Sequence, residues 1–486
     1  MAPITRRVLV QHAAVAATAL GSRPFAALAG ERQTLVSDAE RSASLDAGAI
    51  RALASKLTGQ LITPAAPEYD SARLLFNRAF DRHPALIVRC AVPSDIAWTL
   101  DFAQRHDLRV AVRGGGHNRA GFSSCDGGVV IDTSMMNRVV VDAASRVAHA
   151  QAGALTVHVD AMTQRDGLAT TLAGCPTVGI AGLTLGGGEG LLMSKYGAAC
   201  DNLIAAQLVT ADGRHLRASQ NTNSDLFWAI RGGGGNFGVA TDLEYQLHAV
   251  DQVLAGTLEF PVGQIAELLQ SFARFVAAAP DEMNVVGQVV ATEKGPRFQM
   301  LVCHCGESRQ GNELLKPLRA LAPLEDTIRI QPYLQANATI NPASAAAHFQ
   351  TNLVMPALTD AVISMITSAS RHAPPNTRVF MVPLYGAIAR VGLSDTAFPL
   401  RKPCCELDIM GRWSDPEDRS RAVEWVTGLR DSLQPFSQGV YVNQLGDTSD
   451  ELVHAAYGSN FARLAAIKRK YDPANVFQLN QNIRPG

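Results

Sequence analysis

Short apolar runs alternate with amphipathic stretches along most of this chain, which predicts an alternation of strands and helices. "LDAGAIRALASKLTG" (45–59) reads as a first helix, with Asp46 as its cap and Gly59 as its stop. "ALIVRC" (85–90) is a predicted strand. "PSDIAWTLDFAQRHD" (93–107) is a helix opened by Pro93 and Ser94. "LRVAVR" (108–113), "GGVVID" (127–132), "NRVVVD" (137–142) and "RVAHAQA" (146–152) are β-rich runs broken by turn residues, and a helix follows near 155–166. Next come the strand-like "NLIAAQLVTADG" (202–213), a short helix "SDLFWAI" (224–230) and the strand "TDLEYQLHAV" (241–250).

From 251 to 439 the pattern changes, with fewer glycines and longer strands such as "RFQMLVCHC" (297–305) and "CCELDIMGRW" (404–413). Helices at 261–277 and 415–433 lie between them. The end of the chain, 457–483, predicts a helix halted by Asp472-Pro473 and then an Asn/Gln-rich tail. There is no internal repeat. The pattern predicts an α+β protein in five segments: 1–29, a leader; 30–74, with one helix; 75–250; 251–439, with the longer strands; and 440–486.

Composition narrows the class. The chain has 486 residues, 47% of them hydrophobic and 18% charged, ample for more than one core. A formal charge of −1 without a basic stripe argues against nucleic acid and anionic membrane as partners, and favours a small-molecule substrate. Arg6-Arg7, a mild apolar run from Val8 to Leu20 and "ALA" at 27–29 have the layout of a twin-arginine export signal, which implies a periplasmic or extracellular protein free of the membrane once cut. The eight cysteines form no CxxC zinc pattern; disulfides are open to an exported protein, but their pairing is not readable.

Three glycine tracts interrupt the pattern: "VRGGGHNRAG" (112–121), "AGCPTVGIAGLTLGGGEG" (173–190) and "RGGGGNFGVAT" (231–241). Rows of amides without side chains can cradle a pyrophosphate, and Gly114, Gly115 and Gly116 follow a strand as such a cradle would. No GxGxxG opens a long helix and no Walker lysine follows, so neither a dinucleotide-binding α/β domain nor a P-loop fits. His117 abuts the first tract and Cys175 stands in the second.

Together with "KYGAACDNLIAAQLVTADG", "DLFWAIRGGGGNFGV" and "YGSNFARLAAIKRKYDPANVFQLNQNI", these tracts resemble the berberine bridge enzyme-like FAD oxidases of the vanillyl-alcohol-oxidase superfamily, from about residue 75 to the C-terminus. The resemblance implies a two-part, PCMH-type FAD-binding domain completed by the C-terminal segment, with an inserted substrate domain whose antiparallel sheet is backed by helices. It implies FAD bonded at its 8α-methyl to His117 and at C6 to Cys175. The cradle would also involve Arg113, Asn118 and Gly121 from the first tract. The second would add Thr177, Val178, Gly179, Gly182, Gly187 and Gly188. Val239, Asn480 and Asn482 would complete it. A small residue at Val178, near flavin C4a, would admit dioxygen and favour an oxidase that releases hydrogen peroxide.

The base is where the chain departs from the resemblance. Sugar and alcohol oxidases carry "NY" where this chain reads "YVNQLGD" (441–447), so Gln444 stands in place of a tyrosine base. The glutamate of the alkaloid enzymes, counted back from "FPLR", falls on Arg390. Neither can take up a proton in the same way. Tyr385, Tyr441, Asn443 and Gln444 are the remaining catalytic candidates, with Tyr457 behind them. The expected reaction moves hydride from an alcohol or lactol, an amine or a phenolic to the flavin. A flavin dehydrogenase with another acceptor, or a secreted flavoprotein that binds without turnover, are the rival readings.

Overall fold

The computed structural model describes residues 45–338, 346–446 and 449–486, so the leader 1–29 lies outside the described residues. The first layer is a four-stranded sheet of β1 (Gln60–Ile62), β2 (Leu86–Arg89), β3 (Val110–Arg113) and β4 (Val129–Asp132) in the order β1-β2-β4-β3. β2, β4 and β3 run parallel, and β1 is antiparallel to β2. Helix Pro93–Arg105 covers the sheet with Ile96, Leu100 and Ala103, spaced four and three apart on one face. Its first turn is closed by Asp95, whose carboxylate accepts the N–H groups of Thr58 (2.8 Å), Gly59 (3.0 Å) and Ala91 (2.9 Å).

A second, all-antiparallel sheet follows, built from β5 (Val139–Asp142), β6 (Val147–Gln151), β8 (Leu203–Val209), β9 (His215–Ser219) and β10 (Val239–Gln246) in the order β5-β6-β10-β8-β9. The short β7 (Leu168–Ala169) and β11 (His248–Ala249) pair beside it. Its core takes in buried residues of the C-terminal segment, among them Tyr457, Leu464 and Ile467.

The third sheet has eight antiparallel strands: β12 (Gln252–Phe260), β13 (Met283–Thr292), β14 (Gly295–His304), β15 (Glu325–Asp326), β16 (Arg329–Pro332), β17 (Ala347–Met355), β18 (Thr377–Leu384) and β19 (Cys404–Trp413). The path is β15-β12-β14-β13-β18-β19-β17, with β16 also on β12. Side chains alternate between its faces. Val285, Val379, Met381, Leu407 and Ile409 point to one side, under helices Ile265–Ala278, Asp360–Arg371 and Arg419–Leu433. Register places Asn352, Asp408 and Phe380 in one row across β17, β19 and β18 on the opposite face, which looks onto the glycine tracts.

The expected α+β architecture with an antiparallel sheet backed by helices is present. Boundaries differ in two instructive places. The first helix is Ala47–Ala54, shorter than its pattern, although Asp46 does cap it by accepting the N–H of Ala49 at 3.1 Å. The expected C-terminal helix starts at Phe461 and runs to Tyr471; an unexpected helix, Asp450–Tyr457, precedes it, and Gly458 at φ +51° separates the two. Lys468 then anchors the tail: fully buried, it donates to Asp472 (2.6 Å), the carbonyl of Asn236 (2.8 Å) and the carbonyl of Phe477 (2.9 Å). Among the described residues no helix is long and apolar enough to cross a membrane, and all eight cysteines are free.

Candidate active site

A cavity of about 400 Å³ lies between the three glycine tracts and the polar face of the large sheet. Gly114, Gly115, Gly116, His117 and Asn118 line it from the first tract. Cys175, Val178, Gly179 and Gly182 line it from the second; Val239 and Asn480 close it from β10 and the tail. Tyr441, Asn443 and Gln444 enter from the turn after the large sheet. Gly115 and Gly179 let two tracts touch, since a Cβ on Gly115 would sit 2.3 Å from the Gly179 nitrogen. Gly182 and Gly235 have nothing within 4 Å of a Cβ, so side chains there would project into open space where the backbone now faces the cavity.

His117 is half-buried, stacked on Phe76 with ring centroids 4.0 Å apart. Burial first, and then the Arg119 charge, lower its imidazole to about 4, so it is neutral and nucleophilic at neutral pH. Its Nε2 lies 3.1 Å from the Thr177 hydroxyl, and the Cys175 Sγ lies 3.5 Å from the same oxygen. One hydroxyl therefore holds together two residues that are distant in sequence. The Oδ1 of Asn480, which lines the cavity, is buried without a partner and remains as an acceptor for a ligand; Asn482, also buried without a partner at Oδ1, does not line the cavity. Open glycines, a neutral imidazole, a nearby thiol and a spare acceptor fit a bound flavin nucleotide.

Other expected residues lie elsewhere. Arg113 turns away from the cavity, donating to the carbonyl of Ala72 and lying 3.9 Å from Asp132. Gly121 is pressed against the Phe80 ring, and Gly187 against that of Phe398. Gly188 acts indirectly, its N–H donating to the Tyr441 hydroxyl at 2.8 Å. Tyr385 is outside the cavity and spends its hydroxyl on the Met283 carbonyl. Tyr457 bridges the carbonyls of Gly233 (3.3 Å) and Gln481 (3.1 Å), a tie between the third tract and the tail. Arg390 is half exposed in a bidentate pair with Asp281. Counting back from "FPLR" thus ends on the surface.

The carboxylates that face the cavity were not singled out from the sequence. Glu189, the one carboxylate in the second tract, and Asp408 of β19 both line it. Glu406, two residues before Asp408, is fully buried beside them and hydrogen-bonds Glu189. Asn352 donates to Glu406 (2.6 Å) and Asp408 (3.1 Å), and its own oxygen accepts the Tyr441 N–H at 2.7 Å. Burial raises Glu189 to about 7; its hydrogen bond from Glu406 opposes this and the Asp408 charge adds to it. Burial raises Asp408 to about 6, against the pull of Arg119. Glu406 is pushed well above the carboxylate range by burial and then by Glu189 and Asp408. Three carboxyl groups crowd one cavity wall, and one proton shared between Glu189 and Glu406 is the natural state of the pair. Gln444, the expected departure from a tyrosine, accepts from Arg119 (3.1 Å) and Gln350 (3.0 Å) and so positions the arginine beside Asp408.

A family model described as an FAD binding domain matches residues 84–219, and one described as berberine and berberine like matches 440–484. An uncharacterized FAD-linked oxidoreductase of Bacillus subtilis (strain 168), YgaK, is 30% identical over 442 residues, covering 89% of this chain and 98% of that protein. The chain belongs to the berberine bridge enzyme-like FAD-linked oxidoreductases. This oxidoreductase is also 30% identical over 450 residues to (R)-6-hydroxynicotine oxidase of Paenarthrobacter nicotinovorans, covering 88% of the chain and 97% of the relative. The crystal structure of 6-hydroxy-D-nicotine oxidase from Arthrobacter nicotinovorans matches its fold with a TM-score of 0.83 at 27% identity, over 88% of this chain and 98% of that one. The chain is thus an FAD-linked oxidoreductase with a cavity lined by its glycine tracts and, opposite them, an acidic wall.

Proposed function

We propose that this oxidoreductase is an amine oxidase, with FAD bonded to His117 and Cys175 and dioxygen as the final acceptor. The observation that carries the substrate class is the pair Glu189 and Asp408 on the cavity wall, with Glu406 buried behind them and one arginine facing them. An ammonium group would balance a site left acidic, where an alcohol or a sugar hydroxyl would not. The name of the hydroxynicotine-oxidising relative agrees with this.

Bound flavin supplies a two-electron acceptor. The residues of the chain handle the proton. Asp408, poised at about 6, takes a proton from the bound ammonium, leaving a neutral amine whose lone pair assists loss of hydride from the adjacent carbon. Oxidised product leaves as an iminium, and the Glu189–Glu406 pair stores or returns a proton as substrate and product exchange. Arg119, held by Gln444, keeps Asp408 from rising further. Tyr441 and Asn443 brace the wall: the Asn443 amide donates to the Tyr441 hydroxyl (2.9 Å) and to the Leu183 carbonyl (2.9 Å). Val178, beside the cavity, leaves room for dioxygen. Export by the N-terminal leader remains part of this proposal, and a permanently attached cofactor suits a protein that cannot be reloaded outside the cell.

The test is a panel of secondary and tertiary amines, primary alcohols and aldoses, read anaerobically by flavin bleaching and aerobically by peroxide release. Amines should bleach the flavin, and air should restore it with one peroxide per turnover. Bleaching by aldoses alone, or a reduced flavin that air leaves untouched, would overturn the reading.

A further inference from the structure

Asn284 of β13 lines the same cavity, and the chemistry described so far makes no use of it. The residue is 1% exposed, and neither its Nδ2 nor its Oδ1 has a hydrogen-bond partner among the described residues. Its surroundings give the reason. Two residues on along the same face of β13 comes Val286, which also lines the cavity. Directly opposite on β14 stands Cys303, which packs in one apolar cluster with Leu191. The short helix Met193–Tyr196 lies against β13, and Leu191 and Met193 both line the cavity. A primary amide is thus set in an apolar corner of the cavity wall.

A buried polar group without a partner costs about 1–3 kcal/mol, and Asn284 has two such atoms on one side chain. On a cavity wall, that cost is recovered when a ligand brings the missing hydrogen bonds. The wall indicates which ligand. Gln288 of β13 pairs with Phe380, and Phe380 pairs with Asp408, so the even-numbered residues of β13 share the face of Asp408. That face lies across the cavity from the glycine tracts that would cradle the flavin. Asn284 therefore belongs to the substrate side.

We propose that Asn284 is a specificity-determining residue that binds a carboxamide, primary or cyclic, at the end of the substrate remote from the reacting amine. A side-chain amide offers a donor and an acceptor side by side. A primary or cyclic carboxamide has the complementary pair and meets both at once. A carboxylate has no donor, so it would leave Oδ1 facing a lone pair, and a single hydroxyl would leave one of the two atoms unmet. Asn284 lies four residues along β13 from Gln288 and two strands across from Asp408, roughly 16 Å between backbones. Side chains from both ends shorten that gap, so the substrate spans roughly 10 Å, too far for an α-amino amide. Its apolar middle would rest on Val286, Val382 and Phe380. The amine reading above decides which end meets the flavin, but the amide contact itself does not depend on turnover.

The test uses three probes, 8-aminooctanamide, 8-aminooctanoate and octylamine. Binding is read by calorimetry on the flavin-loaded protein after chemical reduction, which prevents turnover of the amine. The amide is expected to bind at least about tenfold more tightly than either of the others. Asn284→Leu should abolish the preference for the amide over octylamine while octylamine binds as before, which a misfolded variant would not do. Its melting temperature should equal or exceed that of the parent, because an unpartnered amide is removed. Asn284→Ala, which cannot overpack the corner, should lose the same preference. Equal binding of amide and octylamine by the unaltered protein, tighter binding of the acid, or a preference that survives either substitution overturns the amide site. An intact preference while no amine bleaches the oxidised flavin overturns the amine oxidase reading alone.

Discussion

The acid–base assignment makes a sharp prediction. Asp408→Asn keeps the size of the side chain and can still meet Asn352 and Gln350, but removes the proton acceptor nearest the reacting end of the cavity. General bases contribute about 10²–10⁴-fold, so the anaerobic rate of flavin bleaching by a saturating amine should fall by about that factor, roughly 3–5 kcal/mol of barrier. The pH profile follows with a defined sign. Asp408 must be ionised to act, and its pKa is raised to about 6, so the rate in the unaltered protein should rise with pH through about 6. At about pH 5 only about one molecule in ten holds the base form, and the rate should be about a tenth of its plateau. The acid limb should vanish in Asp408→Asn. Glu189 titrates close by, at about 7, so Glu189→Gln is the control: it removes that neighbouring titration and should leave the limb near 6 in place. Stopped-flow bleaching across about pH 5–9, with flavin content measured in each variant, provides the data. If Asp408→Asn keeps its flavin, bleaches within about threefold of the parent and retains the limb near 6, then Asp408 is not the base.

Three further outcomes are expected. Acid-precipitated protein should stay yellow; His117→Ala or Cys175→Ala alone should each retain covalent flavin through the other bond, while the double substitution should release all of it to the supernatant, as read by absorbance. Asp472→Ala should cost about 3–5 kcal/mol in urea unfolding, because it strands the fully buried Lys468 ammonium, and Lys468→Met with Asp472→Leu should recover much of that loss. Gly115→Ala should destabilise by about 1–3 kcal/mol or fail to fold, with its Cβ 2.3 Å from the Gly179 backbone, whereas Gly182→Ala, where the Cβ meets nothing within 4 Å, should fold normally by thermal melting and interfere only with flavin uptake.

Much of this protein is local, and the local part could be read along the chain. Strand β19 was visible in "CCELDIMGRW" because an alternating pattern has one conformation that puts its apolar residues together. The helix at Pro93 was visible in its proline and its spacing, and a ligand cradle in three glycine tracts, which the resemblance assigned to a flavin. His117 and Cys175 stood out because each is a reactive group inside such a tract. The catalytic wall was not visible in the same way. Glu406 and Asp408 alternate with Leu407 and Ile409 in an ordinary strand, and only the sheet's placement against the second tract brought Glu189 to meet them. Arg390 looked like a site residue by position and is a surface ion pair. Periodicity and backbone freedom are properties of neighbours in sequence, so sequence alone determined the elements and the cofactor cradle. Burial, charge pairing and raised pKa values are properties of neighbours in space, so the acidic wall and its shared proton were decided by tertiary structure.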